Sequence, residues 1–396
     1  MPLSKFGREY LLLGLRMGKL IDEYLDSYFG PYELKQLVEK EDALSPARLL
    51  SICQNLQKQL PDQGFEQSRV IFFEKMFDSM EILLKVKSGE KIPYIEQVKG
   101  LYDITPQYPS DSEIYSAVER IDSVYEGSGS LLSRISGVFT RRYLPKEIIM
   151  QFINHAMKLV RERTYELFPN LLPKKEHIEI SQVYDTAWEG YNWYLGDFRS
   201  RFDMCIDRRI SWHLILDVAA HEGYPGHHVM SCVKDKLLYQ EKGIFEQSIR
   251  LAFSPQMVLY EGIADLALEL LYNPYENEKI AYENYCINPS EENREDLVIE
   301  REAWRTIHGI HSNLAYHLFV EEWTEKELFS FLLNLGIYPE RVIHNIIRLV
   351  TIPNWETFHF TYYVGENLIK KKYGQEISPE NYKDLLVNSY IPSNFM

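Results

Sequence analysis

Apolar residues in the first 170 positions recur mostly at three- and four-residue intervals, the spacing of one helix face. The pattern predicts helices over 10–28, 47–60, 70–86, 112–124 and 146–167. Gly30-Pro31 closes the first of these, and further breaks fall at 61–64, 105–109 and Gly127-Ser128-Gly129. The last stretch lacks a following Lys-Ser/Thr and reads as a turn rather than a phosphate loop. After Pro169 the texture changes. Residues 178–181 and 193–207 alternate and are rich in aromatics, which predicts two or three short strands. From Trp212 helical spacing returns over 212–220, 260–270, 297–318, 339–349 and 355–373.

These elements predict a mainly α fold with a small β-hairpin or edge-strand region ahead of the 212–220 helix. No repeat or low-complexity tract separates modules. The chain therefore reads as one domain over 1–396, with a helical part at 1–170 and the remainder at 171–396.

Composition narrows the function classes. The 396 residues are 45% hydrophobic and 26% charged, ordinary values for a globular protein. Net charge is 43 − 58 = −15, which argues against a nucleic-acid or anionic-membrane surface. Cys53, Cys205, Cys232 and Cys286 are scattered without a Cys-x-x-Cys pair, as reduced structural thiols would be. No continuous apolar signal segment or run of about 18 apolar residues is visible, and a cytoplasmic chain is expected. Oligomeric state is not legible.

The chemistry is concentrated in His221-Glu222-Gly223-Tyr224-Pro225-Gly226-His227-His228. His-Glu opens the zinc-protease signature His-Glu-x-x-His, in which histidines at i and i+4 bind zinc and the glutamate is general base. Here i+4 is Pro225, which has no N–H to donate to His221 and interrupts the ladder. A two-residue bulge over Pro225-Gly226 would return His227 to the place of an i+4 histidine. His228, at i+7, points the right way on an unbroken helix but lies ~10 Å up its axis. His227 is thus the favoured second ligand and His228 the alternate. Downstream, Glu261 and Asp265 stand at i and i+4 on a helix with an apolar stripe of Ile263, Leu266, Ala267 and Leu270. That spacing suits a ligand carboxylate and an acid that orients an imidazole, the order found in thermolysin-like zinc enzymes. The alternative is a solvated acidic edge.

The His-Glu-x-x-Pro-Gly-His-His pattern resembles the signature of the domain-of-unknown-function family 885, zincin-like and mostly helical proteins regarded as metallopeptidases. Residues 12–31, ending Tyr28-Phe29-Gly30-Pro31, resemble its N-terminal helix, and 188–207 the segment before the histidines. Glu261 to Asp265 resemble its glutamate helix, and Tyr362-Tyr363-Val364-Gly365 its C-terminal Tyr-x-x-Gly. The resemblance covers nearly the whole chain and implies a zincin-like fold.

One Zn2+ per chain is expected, held by His221, His227 and Glu261, with Glu222 as base and Asp265 behind an imidazole. Tyr362 is the candidate for the oxyanion. Among Leu297–Leu318 histidines, His311 is a candidate for orienting a ligand or touching substrate, although helix histidines of this kind are more often core or surface. Tyr191, Asn192 and Trp193 lie where thermolysin-like enzymes pair an edge strand with peptide substrate; an aromatic core hairpin is the other reading. The expected function is zinc-dependent hydrolysis of peptide or amide bonds. The enclosed helical fold, by analogy with the carboxypeptidase Taq family, suggests short peptides. Hydrolysis of a small non-peptide amide, or metal binding without catalysis, are the alternatives.

Overall fold

The computed structural model describes residues 3–186, 188–289 and 294–396. The chain is mainly α. Its N-terminal part is a run of helices: Lys5–Leu20, Tyr32–Lys40, Pro46–Gln59, Gln67–Lys87, Tyr94–Tyr102, Asp111–Val124, Leu131–Arg142 and Lys146–Leu167. Their starts are chemically marked. Ser4, Ser45, Ser110 and Ser130 each accept a hydrogen bond from a backbone N–H in the first turn.

The first helix is shorter than its periodicity predicts. It ends at Leu20, and Leu25–Tyr28 is a strand, β1, paired antiparallel with β5, Ile249–Leu251. Glu23 between them has φ of 62°, which no right-handed helix continues. The partner that makes β1 a strand lies more than 200 residues away, outside any local pattern.

A three-stranded sheet separates the two helical runs: β2 His177–Val183, β3 Gly190–Gly196 and β4 Arg199–Cys205. The order is β2-β4-β3, with β2 parallel and β3 antiparallel to β4. Strand β3 is therefore an edge, turning into β4 through Asp197 and Phe198, both at positive φ.

The second helical run contains Ile215–Glu222, His227–Val233, Pro255–Asp265, Pro274–Tyr285, Arg294–His308, Ile310–Phe319, Glu325–Asn334, Glu340–Val350, Phe360–Tyr373 and Pro379–Val387. The run at 297–318 is two helices divided at Gly309, which packs against Pro109, where an added Cβ would come within 2.8 Å of the ring. The run predicted from Trp355 begins only at Phe360, after a turn in which Asn354 has φ of 73°.

Buried apolar side chains form one contiguous core from Phe6 to Phe395. Ion pairs join its early and late segments. Arg69 grips Glu246 with two bonds of 2.7 Å, and buried Arg142 holds Glu300 at 2.6 and 3.0 Å. Cys53, Cys205 and Cys232 are buried and form no disulfide. Among the described residues, no helix is long and apolar enough to cross a membrane.

Candidate metal centre

The helix Ile215–Glu222 ends on the two residues that open the histidine motif. Beyond it the hydrogen-bond ladder skips. The N–H of Gly226 donates to the carbonyl of Ala220 at 3.0 Å and that of Val229 to Gly223 at 3.4 Å, each six residues back instead of four. Met230 then donates to Gly226 at 2.9 Å in ordinary register. Two extra residues are thus looped out between His221 and His227, and the Tyr224–Pro225 peptide is cis.

The loop is tied down at both residues. The Tyr224 hydroxyl donates to Glu176, and the carbonyl of Pro225 accepts from Tyr382 at 3.4 Å. Gly226 is required by contact rather than by φ: an added Cβ would sit 1.9 Å from the carbonyl oxygen of His221 and 2.5 Å from that of Ala220. Both obstacles are backbone. Gly226→Ala should therefore displace His227 and cost about 2 kcal/mol or more of stability, with loss of metal, measured by denaturant unfolding beside elemental analysis. Unchanged stability and metal content would contradict the loop geometry.

The helix Pro255–Asp265 brings the third group. His221 Nε2 and His227 Nε2 lie 3.5 and 3.6 Å from Glu261 Oε2, and the three ligand atoms fall within 4.8 Å of one another. These separations are long for hydrogen bonds. They suit a shared ion, since tetrahedral ligands at about 2.0–2.2 Å from zinc stand roughly 3.3–3.6 Å apart. Two imidazoles and one carboxylate leave a fourth position open, as in catalytic sites.

Asp265, one turn beyond Glu261, reaches the other nitrogen of His221 at 3.1 Å between Oδ1 and Nδ1, which orients the ring. His227 has no such partner at Nδ1. Its ring is fixed instead by stacking on Tyr260, with centroids 4.1 Å apart and planes at 7°. The far face of Tyr260 carries the Arg250 guanidinium at 3.8 Å, and Arg250 pairs with Asp26.

Electrostatics separate the carboxylates. Burial opposes ionisation of Glu261, yet the two imidazoles bring its pKa down to about 2. Burial also opposes charge on His221, and the neighbouring carboxylates of Asp265 and Glu261 overcome it and raise the ring well above its ordinary value. Glu222 goes the other way. Burial pushes its carboxyl up, the imidazoles oppose, and the charge of Glu261 adds to the rise. Its Oε2 is buried without a hydrogen-bond partner, a free acceptor beside the ligand cluster.

Tyr362 reaches this place through a close helix crossing. Gly262 on Pro255–Asp265 and Gly365 on Phe360–Tyr373 touch backbone to backbone. A Cβ on Gly262 would lie 2.4 Å from the carbonyl carbon of Gly365, and one on Gly365 2.0 Å from the Val258 oxygen. Tyr362, a turn before Gly365, is 43% exposed, and its phenol is pushed up by desolvation and by the charges of Glu261, Asp265 and Glu222. It is accessible and within electrostatic reach of the cluster.

The other expected residues have different places. His228 is fully buried and turned to other partners: Nε2 lies 2.8 Å from Glu176 and Nδ1 2.8 Å from the Ser200 hydroxyl. The carboxylate can only accept, so Nε2 carries the proton and Nδ1 accepts from Ser200. His311 is outside the ligand cluster and stacks with His359 at 6.0 Å. His308, three residues earlier in the chain, is the one that feels the charge of Asp265. Asn192 is buried and donates to the backbone carbonyl of Glu222 at 2.8 Å, so it positions that residue. Tyr191 donates to Asp26 at 2.6 Å and Trp193 to Asp203 at 2.8 Å, while their rings stand 4.4 Å apart on alternate positions of β3.

Sequence reasoning missed Glu176, Asp26, Arg250 and the role of Tyr260. Tyr260, preceding Glu261, had a local signal; Glu176, Asp26 and Arg250 had none, because their partners are remote.

No family model matches the chain, and no curated protein matches its sequence. Its structure is similar to that of a "putative lipoprotein" from Colwellia psychrerythraea, with 15% identity and a TM-score of 0.52, over 91% of this chain. The match spans 64% of that protein's length. A "putative lipoprotein of unknown function" from Shewanella oneidensis matches with 14% identity and a TM-score of 0.49, over 92% of this chain and 71% of its own. The first likeness is one of fold.

Proposed function

We propose that the protein is a zinc-dependent hydrolase of peptide or amide bonds, acting on short peptides. The observation that carries the reading is the set of spacings among His221, His227 and Glu261 with the free carboxylate oxygen of Glu222 beside them. Two nitrogens and one oxygen favour zinc among available divalent ions. When bound, the ion would polarise a carbonyl and lower the pKa of water to about 7.

Each residue of the chain then has a task. Glu222 accepts the proton of the attacking water and returns it to the leaving amine, and its raised pKa makes it a stronger base for the first transfer. Asn192 fixes the backbone of Glu222 from β3. Asp265 holds the tautomer of His221, and the Tyr260 ring holds the plane of His227. Tyr362, kept protonated, donates to the oxyanion. The edge strand β3 offers backbone groups to an extended peptide, with the rings of Tyr191 and Trp193 beside it.

Purified protein should contain about one zinc per chain and hydrolyse members of a short-peptide panel. A chelator should abolish hydrolysis and added zinc restore it. Stoichiometric zinc with turnover of small non-peptide amides alone would move the substrate class. Zinc without any hydrolysis would make this a binding protein, and failure to take up metal would end the reading.

A further inference from the structure

A zinc-ligating imidazole ordinarily donates its second ring N–H to a carboxylate, carbonyl or water, and that bond fixes the ring. His221 has such a partner in Asp265, whereas Nδ1 of His227 has no hydrogen-bond partner among the described residues. The orientation of His227 therefore falls to the Tyr260 ring on which it stacks. A stack alone lets two rings slide past each other. What stands behind Tyr260 decides how well the ligand is placed.

That support begins with an irregularity in β1. Leu25 pairs with Leu251 and Ser27 with Arg250, so two steps of β1 oppose one of β5 and Asp26 is the extra residue of a β-bulge. Bulges re-aim a side chain, and here the carboxylate of Asp26 meets Nε of Arg250. Its other oxygen accepts from Tyr191 at 2.6 Å, so both oxygens are engaged. The pair is shielded, with 12% of the Arg250 side chain and 6% of the Asp26 side chain exposed.

Held in this way, the guanidinium carbon lies 3.8 Å from the centre of the Tyr260 ring, on the face opposite His227. A cation over an aromatic face is attracted more strongly where water is excluded, and Tyr260 is buried. Arg250 also reaches the helix His227–Val233 directly. Its Nη1 donates to the Ser231 hydroxyl at 3.1 Å, one turn beyond His227, and the Tyr260 hydroxyl lies 3.3 Å from the same oxygen. Guanidinium, phenol and imidazole form one sandwich, anchored by Asp26 behind and by Ser231 at its edge.

We propose that Asp26 and Arg250 are positioning residues for the metal ligand His227, acting through the ring of Tyr260. The proposal rests on the zinc reading of the centre and extends it to residues that are not themselves ligands.

The test uses the full-length protein. Apparent zinc Kd, from competition with a chelator, should rise by about 10- to 100-fold in Arg250→Met and by about 10-fold in Asp26→Asn. Tyr260→Leu should match Arg250→Met, and Tyr260→Phe, which keeps the ring, should recover most of the loss. Metal-free protein gives a second readout. The ring-proton resonances of His227, assigned with His227→Ala, should lie at high field under the Tyr260 ring and move toward ordinary positions in Arg250→Met and Asp26→Asn. A purely structural role would lower Tm and leave both Kd and these resonances as in the wild type. Wild-type zinc Kd in the folded variants, or His227 resonances that stay in place, would overturn the proposal. The nearly isosteric Asp26→Asn covers the case in which Arg250→Met does not fold. If the wild type takes up no zinc, the hydrolase reading fails and the metal-free resonances still decide this one.

Discussion

Glu222→Gln should leave zinc content and Tm unchanged and lower peptide hydrolysis by about 100- to 10,000-fold. The expectation of an intact fold comes from the site. The Oε2 of Glu222 makes no hydrogen bond among the described residues, and Asn192 grips the backbone carbonyl of this residue, which the substitution keeps. An amide fills the same space but cannot accept the proton from water. Tyr362→Phe should also keep the metal and lose about 100-fold or more in kcat, since one oxyanion donor is removed. Near-normal turnover by Glu222→Gln would dismiss the carboxylate as base, whatever the metal content.

The adjacent histidines should respond oppositely. His227→Ala should reduce zinc from about one per chain to near zero, because two remaining ligands do not make a structural or catalytic zinc site. Its metal-free stability should change little beyond the loss of the stack on Tyr260. His228→Ala should retain zinc under conditions where it folds, and lose about 2–4 kcal/mol of stability. The reason is Glu176, whose buried side chain accepts from His228, Tyr224, Tyr165 and Arg161. Those partners hold its carboxyl at about 2 against the effect of burial, so it stays charged and loses a donor when His228 is cut away. Elemental analysis and denaturant unfolding of the two variants separate the roles. Zinc lost from His228→Ala and kept by His227→Ala would exchange them.

The legible parts of this protein are those whose cause is local. Helices with a full apolar stripe and a serine cap, such as Asp111–Val124, were readable within a few residues. The juxtaposition of Glu261 and Asp265 followed from helical spacing alone. His227 could be placed because Pro225 and Gly226 each carry their own backbone consequence: one removes a donor, the other permits an approach that a Cβ would block. Two kinds of information were missing. Strand β1 depends on β5, and the continuation of helix past Leu20 was the natural reading without that partner. The second kind is polar partnership. Asn192 and His228 were sensible candidates for substrate and metal by type, and their hydrogen bonds to Glu222 and Glu176 are set by tertiary packing.

The crossing at Gly262 and Gly365 has a consequence for how such a protein can change over time. Because backbone meets backbone there, no side chain is available whose size could adjust the separation of Glu261 and Tyr362. On β3, Tyr191 and Trp193 are held by single side-chain hydrogen bonds to Asp26 and Asp203 rather than by backbone contact, and other strand-forming residues could replace them with the sheet register kept. On the proposed hydrolase reading, the part that would set reaction geometry is therefore frozen, while the part that would meet a substrate can drift, and selectivity could diversify without the centre being rebuilt.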